Sequence, residues 1–359
     1  MYSPFRHVGS ILWKNNPIHL TFFVTSRCNL RCSYCFYLSG KRDEGLPELS
    51  LDEIEKVSSS MKNLLWLAFS GGEVFLRDDI VDITRIFYEQ NKPSIILFST
   101  NGSLTDTIED AVGSIIRYCK KSTIVVKLSL DGHEALNDRL RGKGSFRRAM
   151  ETYNRLRRYV REYPNFELGV NTVFCKDNQD SMDEVIDLVK GLDDIKTHTV
   201  SLIREIKDSG FKIQEDIDID KYHKTIKRME SEIRAGDATI YRFRGARLKS
   251  AQDILQRRFI YKTLLNRRQL IPCYAGRLNI VLTETGNLYP CESFRMGFGN
   301  VREYGYNIKG LLNTKHSKRI LSLIKNRDCY CTHECYLMTN ILFNPAMLPV
   351  LLLEYMRLW

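Results

Sequence analysis

The run Cys28-Asn-Leu-Arg-Cys32-Ser-Tyr-Cys35 follows an apolar stretch of the chain and places three thiols within eight residues. A cubane iron-sulfur cluster has four iron corners, so three thiolates can hold three irons and leave the fourth open for a non-protein ligand. The alternative is a zinc site with its fourth ligand elsewhere, since tetrahedral zinc also takes thiolates at short spacings. The spacing favours the cluster, because structural zinc sites usually take their cysteines in pairs.

The ten cysteines of the chain are better explained as metal ligands and core thiols than as disulfides. A chain of 359 residues buries an ample core without covalent cross-links, and no signal peptide points to an oxidising compartment. We therefore expect reduced thiols and a cytoplasmic protein. Cys119 and Cys175 lie in helical and strand-like apolar surroundings and are expected to be buried core thiols.

The spacing Cys-x3-Cys-x2-Cys, with the aromatic Tyr34 before the last cysteine, resembles the signature of the radical SAM superfamily. The resemblance implies that Cys28, Cys32 and Cys35 are the catalytic ligands of a 4Fe-4S cluster and that S-adenosylmethionine chelates its open iron. Tyr34 is then a cofactor-binding residue. The implied reaction is a one-electron cleavage to methionine and a 5'-deoxyadenosyl radical, which abstracts a substrate hydrogen. The electron would come from a flavodoxin- or ferredoxin-like reductant.

A second motif follows the next apolar run, where the chain reads Ser70-Gly71-Gly72-Glu73. Two adjacent glycines let a backbone approach a ligand closely. The motif resembles the Gly-Gly-Glu of the same superfamily, which receives the methionine ammonium, although Val74 stands where proline is usual. Taken alone, the motif would indicate a turn; its place after the cysteine loop favours the cofactor-binding interpretation.

Later strand-like runs also end in small polar residues, as expected at the mouth of a barrel. The resemblance implies that Ser129 and Asp131 approach the ribose of S-adenosylmethionine, with Asn171 and Thr172 as further candidates; the alternative for Asp131 and Asn171 is turn capping. Arg204 could bind a carboxylate or be simply solvated. The candidate cofactor-binding residues outside the cysteine run are Gly71, Gly72, Glu73, Ser99, Asn101, Ser129, Asp131, Asn171 and Arg204.

Helical periodicity fills the intervals between these runs, so that strand and helix alternate six times. Parallel strands with helical crossovers give an α/β fold, and six units over about 190 residues suit a partial (β/α)6 TIM-like barrel. The predicted helices are 51–64, 79–90, 106–120, 146–162 and 182–192, and the predicted strands after the first are 65–69, 94–98, 123–130, 166–170 and 200–203.

Five cysteines gather near the end of the chain: Cys273, Cys291, Cys329, Cys331 and Cys335. The first two flank a predicted hairpin with Gly286 five residues before the second cysteine. This arrangement resembles the Cys-x9-15-Gly-x4-Cys element of SPASM and twitch extensions, which carry auxiliary 4Fe-4S clusters. The later Cys-x-Cys-x3-Cys departs from the full SPASM pattern. We therefore expect one auxiliary 4Fe-4S cluster, bound by the first two cysteines and two of the last three, with a structural zinc site as the alternative.

The stretch from Asp131 to Phe146 resembles a loop found in SPASM enzymes that modify ribosomal peptides, with Asn137 where histidine is frequent. Three of its residues, His133, Asp138 and Arg141, are candidates for cofactor or substrate binding. Helix capping and surface ion pairing explain them equally well.

The formal net charge is +11, and residues 241–270 contain nine lysines or arginines against one acid. Apolar residues among these bases predict a basic amphipathic helix, suited to an anionic membrane surface, an acidic leader peptide or a phosphorylated substrate. The alternative is a solvated helix bridging two domains. Nucleic acid is not expected as a partner, because no nucleic-acid-binding fold accompanies the charge.

The last residues, 339–359, are strongly apolar but are interrupted by Asn344, Pro345 and Pro349, which argues against a simple transmembrane helix. We expect a cap over the open barrel, or else peripheral contact with the inner membrane face. The predicted organisation is an N-terminal extension (1–17), a radical SAM partial barrel (18–205), a basic helical connector (206–270), a small cysteine-rich SPASM/twitch-like domain (271–338) and an apolar tail (339–359).

Three hypotheses of function follow from these motifs. The first is a radical SAM enzyme that modifies a ribosomal peptide. The second applies the same chemistry to a lipid, a glycolipid or an anionic small molecule at the membrane surface. The third, an iron-sulfur regulator or electron carrier, is disfavoured, because such a protein needs no Gly-Gly-Glu motif beside an open iron.

Overall fold

Nine strands and thirteen α-helices make up the part of the chain that the computed structural model describes, which is residues 1–39, 45–204, 216–236, 241–243, 245–294, 296–326 and 329–358. The strands are β1 (His19–Thr25), β2 (Trp66–Gly71), β3 (Ile95–Thr100), β4 (Thr123–Ser129), β5 (Phe166–Phe174), β6 (Ile195–Leu202), β7 (Asn279–Leu282), β8 (Asn287–Tyr289) and β9 (Gly299–Asn300).

The thirteen α-helices connect these strands or follow them in the chain. They are α1 (Phe36–Ser39), α2 (Leu51–Ser59), α3 (Ile80–Asn91), α4 (Thr105–Tyr118), α5 (Glu134–Arg141), α6 (Ser145–Glu162), α7 (Met182–Lys190), α8 (Ile219–Ala235), α9 (Ala246–Asn266), α10 (Ile308–Leu312), α11 (Lys315–Lys325), α12 (Glu334–Leu342) and α13 (Leu348–Met356). Short 3-10 helices span Pro4–Ile11, Val74–Leu76, Val301–Tyr304 and Pro345–Met347.

The sheet has the strand order β6-β5-β4-β3-β2-β1-β7-β8-β9, and β1 to β6 pair in parallel throughout. Parallel strands joined by helices bring all their carboxyl ends to one rim. The six-unit α/β layout expected from the sequence is therefore present. The apolar side chains of β1 to β5 form one continuous core with those of α2, α3, α4 and α6.

The hairpin expected between Cys273 and Cys291 is also present, as β7 and β8 pair in antiparallel fashion from Val281 with Tyr289. The sequence does not predict where the hairpin lies in the fold. Strand β7 pairs in parallel with β1, from His19 with Asn279 to Phe22 with Leu282. The cysteine-rich segment thus begins by extending the barrel's own sheet.

Strand β6 begins at Ile195, five residues before its predicted start. The residues from Lys196 to Thr199 are polar, so an apolar-run criterion does not detect them. They are held in the sheet by register with β5, in which Gly169 pairs with Thr197 and Asn171 with Thr199. Pairing with a formed neighbour strand overrides the low hydrophobicity of this segment.

The predicted basic helix exists as α9, but several of its bases contact the protein itself. Arg247 donates to the carbonyl oxygen of Tyr355 at 3.2 Å, and Arg258 forms ion pairs with Glu230 and Glu354. Lys249 pairs with Asp253 on the same helix. Arg247 and Arg258 thus hold α13 and α8 against α9, and these three bases do not form a free stripe toward solvent. Residues 205–215, 237–240 and 244 of the connector lie outside the described residues.

The apolar tail folds back on the sheet at its start. Phe343 packs with Ile18, Leu65 and Leu278, which lie at the amino ends of β1, β2 and β7. Within the described residues no single helix is long and apolar enough to cross a bilayer; α12 and Pro345–Met356 meet that criterion only as a pair bent by 84°, by length and composition alone.

Candidate active site

The carboxyl ends of the strands surround a cavity of about 280 Å³. Nearly all candidate residues of the barrel line it, although they are far apart in sequence. The predicted residues on its wall are Cys28, Cys32, Tyr34, Cys35, Gly71, Gly72, Glu73, Ser99, Asn101, Ser129, Asn171 and Arg204.

The three cysteines occupy the loop between β1 and α1, and all three face this cavity. The backbone N–H of Leu30 donates to Cys28 Sγ at 3.5 Å, and Asn101 Nδ2 lies 3.9 Å from the same sulfur. Burial raises the pKa of the Cys28 thiol and raises that of Cys32 to about 11. Such thiols give up their protons when metal binds. Three soft sulfur donors on one cavity wall fit an iron-sulfur cluster.

In the chain segments that the structure describes, no three Cys, His, Asp or Glu side chains converge on the position of a single metal ion. A cubane does not need such convergence, because each of its irons takes one thiolate.

The two glycines of the Gly-Gly-Glu motif pack directly against the cysteine loop. Gly72 N donates to Thr25 O at 2.8 Å, and Glu73 N donates to Arg27 O at 2.9 Å. A Cβ atom on Gly72 would lie 2.0 Å from Arg27 O. The sequence suggested that these glycines admit a ligand; in the structure they admit the backbone of the cysteine loop.

Glu73 is almost completely buried, with 1% of its surface exposed. Its carboxylate accepts hydrogen bonds from Thr100 Oγ1 at 2.6 Å, Asn101 N at 2.7 Å and Phe75 N at 3.3 Å. Burial raises the pKa of Glu73 to about 7, although these three bonds act in the opposite direction. A carboxylate has about four acceptor positions, so its orientation is fixed while one position stays free for a cationic ligand.

Asp131 does not lie on the cavity wall, contrary to the expectation that it approaches the ribose. Its buried carboxylate accepts from Arg141 Nε at 2.6 Å, from Val173 N at 2.8 Å and from the hydroxyl of Tyr34. Arg141 itself faces the cavity. Asp131 therefore positions Arg141 and Tyr34, and Arg141 is the residue of this pair that a ligand can reach. Thr172 is likewise off the wall, because its hydroxyl donates to Leu130 O at 2.6 Å.

We expect Asp131→Ala to lower the free energy of unfolding by about 3–5 kcal/mol, because it leaves the buried Arg141 charge without its partner. Urea unfolding measures this change. Glu134→Ala is the matched control, since Glu134 pairs with Arg147 at an exposed site and little change is expected. A fully stable Asp131 variant would show that the ion pair does not hold this wall.

Arg204 also departs from expectation. It lies on the cavity wall, but its guanidinium forms an ion pair with Glu292, just after Cys291, and lies 4.7 Å from the ring centre of Phe36. The carboxylate that Arg204 binds thus belongs to the chain. This contact ties the cysteine-rich segment to the mouth of the barrel.

The other candidates of the 131–146 loop lie away from the cavity wall. Asp138 accepts from Phe146 N at 2.9 Å and from the hydroxyl of Ser145 at 3.1 Å, and it therefore caps the start of α6. His133 is exposed at the N-cap of α5. Asn137 is fully buried and accepts from Asp131 N at 2.9 Å.

The cavity extends downward into the barrel, to residues that the sequence motifs did not include. Lys127 points inward from β4, is 8% exposed and donates to Thr199 Oγ1. Burial lowers the pKa of its ammonium to about 8. Deeper still are His19 and Trp66. The sequence could have identified Lys127 as a cavity residue, because side chains alternate along a strand and Lys127 therefore lies on the same face of β4 as Ser129.

The C-terminal cysteines occupy two places. Cys273, Cys329 and Cys331 line a small separate pocket of about 30 Å³ beside α9 and α12. Cys291 packs against the same core as Cys273 and Cys331. Cys335, in the first turn of α12, lies instead on the wall of the main cavity, next to Glu334. The two remaining cysteines, Cys119 and Cys175, are buried, as expected for core thiols.

Comparison with known proteins supports the radical SAM site in the barrel. Residues 22–189 match the radical SAM superfamily. The mycofactocin maturase MftC of Mycolicibacterium smegmatis is 31% identical over 172 residues, which cover 47% of this chain and 40% of MftC. The AdoMet-dependent heme synthase of Methanosarcina barkeri is 25% identical over 306 residues, covering 82% of each chain. The chain thus matches less than half the length of MftC.

Among solved structures, Streptococcus suis SuiB bound to its precursor peptide SuiA superimposes with a TM-score of 0.61 at 17% identity, over 86% of this chain and 67% of SuiB. This likeness extends the common fold beyond the barrel into the C-terminal segment. The family match covers the cysteine run, the Gly-Gly-Glu motif and strands β2 to β5, which line the cavity. Residues 22–189 therefore form a radical SAM domain, and the cofactors of that superfamily are a 4Fe-4S cluster and S-adenosylmethionine.

Proposed function

We propose that this protein is a peptide-modifying radical SAM enzyme with an auxiliary 4Fe-4S cluster in residues 271–338. The observation that carries the proposal is that the cysteine loop, the Gly-Gly-Glu motif and α12, which contains Cys335, line one cavity. SuiB, which has this fold, binds a precursor peptide. When bound here, the cluster and S-adenosylmethionine supply the 5'-deoxyadenosyl radical that abstracts a substrate hydrogen.

Different residues of the cavity bind the cluster and the separate parts of S-adenosylmethionine. Cys28, Cys32 and Cys35 hold the cluster. Glu73, held by its three hydrogen bonds, uses its free acceptor position for the methionine ammonium. The remaining polar residues of the cavity wall face the rest of S-adenosylmethionine. These residues are Tyr34, Ser99, Asn101, Ser129, Arg141 and Asn171.

A second candidate substrate is an anionic small molecule. The heme synthase of Methanosarcina barkeri matches this chain over 82% of both lengths. The cavity also contains the cationic Lys127, whose ammonium donates to the neutral hydroxyl of Thr199. Lipid and membrane contact stay predictions; the bases of α9 that pair inside the protein weaken them.

Deuterium transfer into 5'-deoxyadenosine distinguishes these substrates. The anaerobically reconstituted enzyme would be incubated with peptide, lipid and small-molecule fractions of its source cells grown in deuterated medium. Label with the peptide fraction supports the proposal, and label only with another fraction replaces it with the corresponding alternative. If reductant and S-adenosylmethionine never yield 5'-deoxyadenosine with any fraction, the enzyme proposal is wrong.

The auxiliary cluster is proposed to accept an electron from the product radical or to hold the substrate. We therefore expect Cys291→Ala to retain 5'-deoxyadenosine formation while losing the modified product. Mass spectrometry after anaerobic turnover measures the amounts of 5'-deoxyadenosine and of modified product. Normal product formation by this variant would exclude the auxiliary role.

A further inference from the structure

Five cysteines follow Ile271, but a cubane cluster that is fully ligated by protein takes four. The structure separates these five into two groups. We infer that Cys273, Cys291, Cys329 and Cys331 bind the auxiliary cluster and that Cys335 is a thiol of the reaction cavity, not a ligand. The inference rests on the proposed function, because it assumes that the auxiliary cluster exists.

The first group shares one location. Cys273, Cys329 and Cys331 line the same small pocket, although more than fifty residues separate the first from the other two. Cys273, Cys291 and Cys331 each pack against the main core. Four sulfur donors at one place satisfy a 4Fe-4S cluster without any ligand from another part of the chain.

The fourth thiol, Cys291, has the same neighbours. Cys273 and Cys329 lie close enough to Cys291 to act on it electrostatically, and Cys273, Cys291 and Cys329 act likewise on Cys331. The four thiols therefore form one group.

Cys335 has different neighbours. It lies on the wall of the main cavity, which it shares with the charged residues Arg204, Glu334, Lys127 and Lys249. Helix α12 begins at Glu334, so its first turn carries Cys335 onto the cavity side while Cys331, before the helix, stays with the first group.

The cavity that Cys335 faces also contains an unused polar atom. His19 is 1% exposed and lines the same wall; its Nδ1 lies 3.2 Å from Asn279 Nδ2, whereas its Nε2 has no hydrogen-bond partner among the described residues. A buried polar atom without a partner is costly unless a ligand or water satisfies it. The wall that bears Cys335 therefore also presents a polar atom that a bound molecule can satisfy.

The test measures iron in a background that lacks the radical SAM cluster. In the full chain carrying Cys28→Ala, Cys32→Ala and Cys35→Ala, anaerobic reconstitution should leave about four irons per chain. Adding Cys335→Ala should leave this iron content unchanged, whereas adding Cys329→Ala or Cys331→Ala should lower it to about three, because one iron then has no thiolate to hold it. The three added variants are matched, since each removes one thiol from the same short segment.

Serine variants supply a second measurement in case an alanine variant folds poorly. Cys331→Ser should change the electron paramagnetic resonance spectrum of the reduced auxiliary cluster, because an oxygen ligand replaces sulfur, whereas Cys335→Ser should leave the spectrum as it was. Loss of iron or an altered spectrum in a Cys335 variant overturns the assignment, as does full retention in the Cys331 variants.

The background variant separates the two proposals. If it binds no iron, or binds a single zinc ion, the proposed auxiliary cluster itself fails and the ligand assignment falls with it. If it binds iron but Cys335 proves necessary, only the assignment fails and the proposed function stands.

Discussion

Replacement of Cys28 by alanine is expected to reduce 5'-deoxyadenosine formation to background. With two thiolates left in the loop, a cubane with three protein-bound irons can no longer form there, and S-adenosylmethionine loses its position. The product is measured by liquid chromatography after anaerobic reconstitution with dithionite. The effect should exceed that of any other single substitution outside the cysteine loop, because the other cavity residues position the cofactors and do not bind iron.

Cys119→Ala is the matched control, since Cys119 is fully buried at the end of α4 and does not line the cavity. Its 5'-deoxyadenosine formation should equal that of the wild type. Persistent cleavage by the Cys28 variant would show that the radical SAM cluster is held by a different set of ligands.

The second large effect is expected for Gly72→Ala. The added Cβ would meet the carbonyl oxygen of Arg27 at 2.0 Å, and because both atoms belong to or adjoin the backbone, no side chain can move aside. The cysteine loop must shift relative to Glu73. A displacement of about 1 Å at a reacting centre can cost about 100-fold in rate. We expect a loss of that order in 5'-deoxyadenosine formation, together with reduced iron content.

Gly191→Ala controls for the loss of a glycine as such. Gly191 lies at the end of α7 with helical backbone angles, and a Cβ there would meet no atom closer than 3.5 Å. This variant should cleave S-adenosylmethionine as the wild type does. If the Gly72 variant equals the Gly191 variant in both iron content and S-adenosylmethionine cleavage, the close packing of the Gly-Gly-Glu motif against the cysteine loop is not needed for activity.

Several features could be read directly from the sequence because their parts are local. Cys28, Cys32 and Cys35 lie in one loop, and Gly71 to Glu73 follow one strand, so their spacing alone identifies them. The six-unit α/β layout was predictable for the same reason, since each unit has its own periodicity. The start of β6 was not, because its polar residues carry no apolar signal and are held only by pairing with β5.

Site residues contributed by pairs of distant segments were harder to identify. Asp131 follows a strand, as a ligand-binding residue would, but Arg141 and Tyr34 enclose its carboxylate. Arg204 stands at the mouth of the barrel, but Glu292 reaches it from the C-terminal segment. Whether a charged group faces a ligand or another side chain depends on what packs above it, and sequence spacing contains no such information.

The sequence by itself determined the superfamily signature, the alternation of strands and helices and the presence of two groups of cysteines, because each depends on residues close together in the chain. Only the tertiary structure decided that β7 joins the sheet beside β1, that Lys127 and His19 line the lower cavity and that Cys335 faces it apart from the other C-terminal cysteines. The physical reason is that these contacts follow from strand register and helix packing between segments separated by up to about 260 residues.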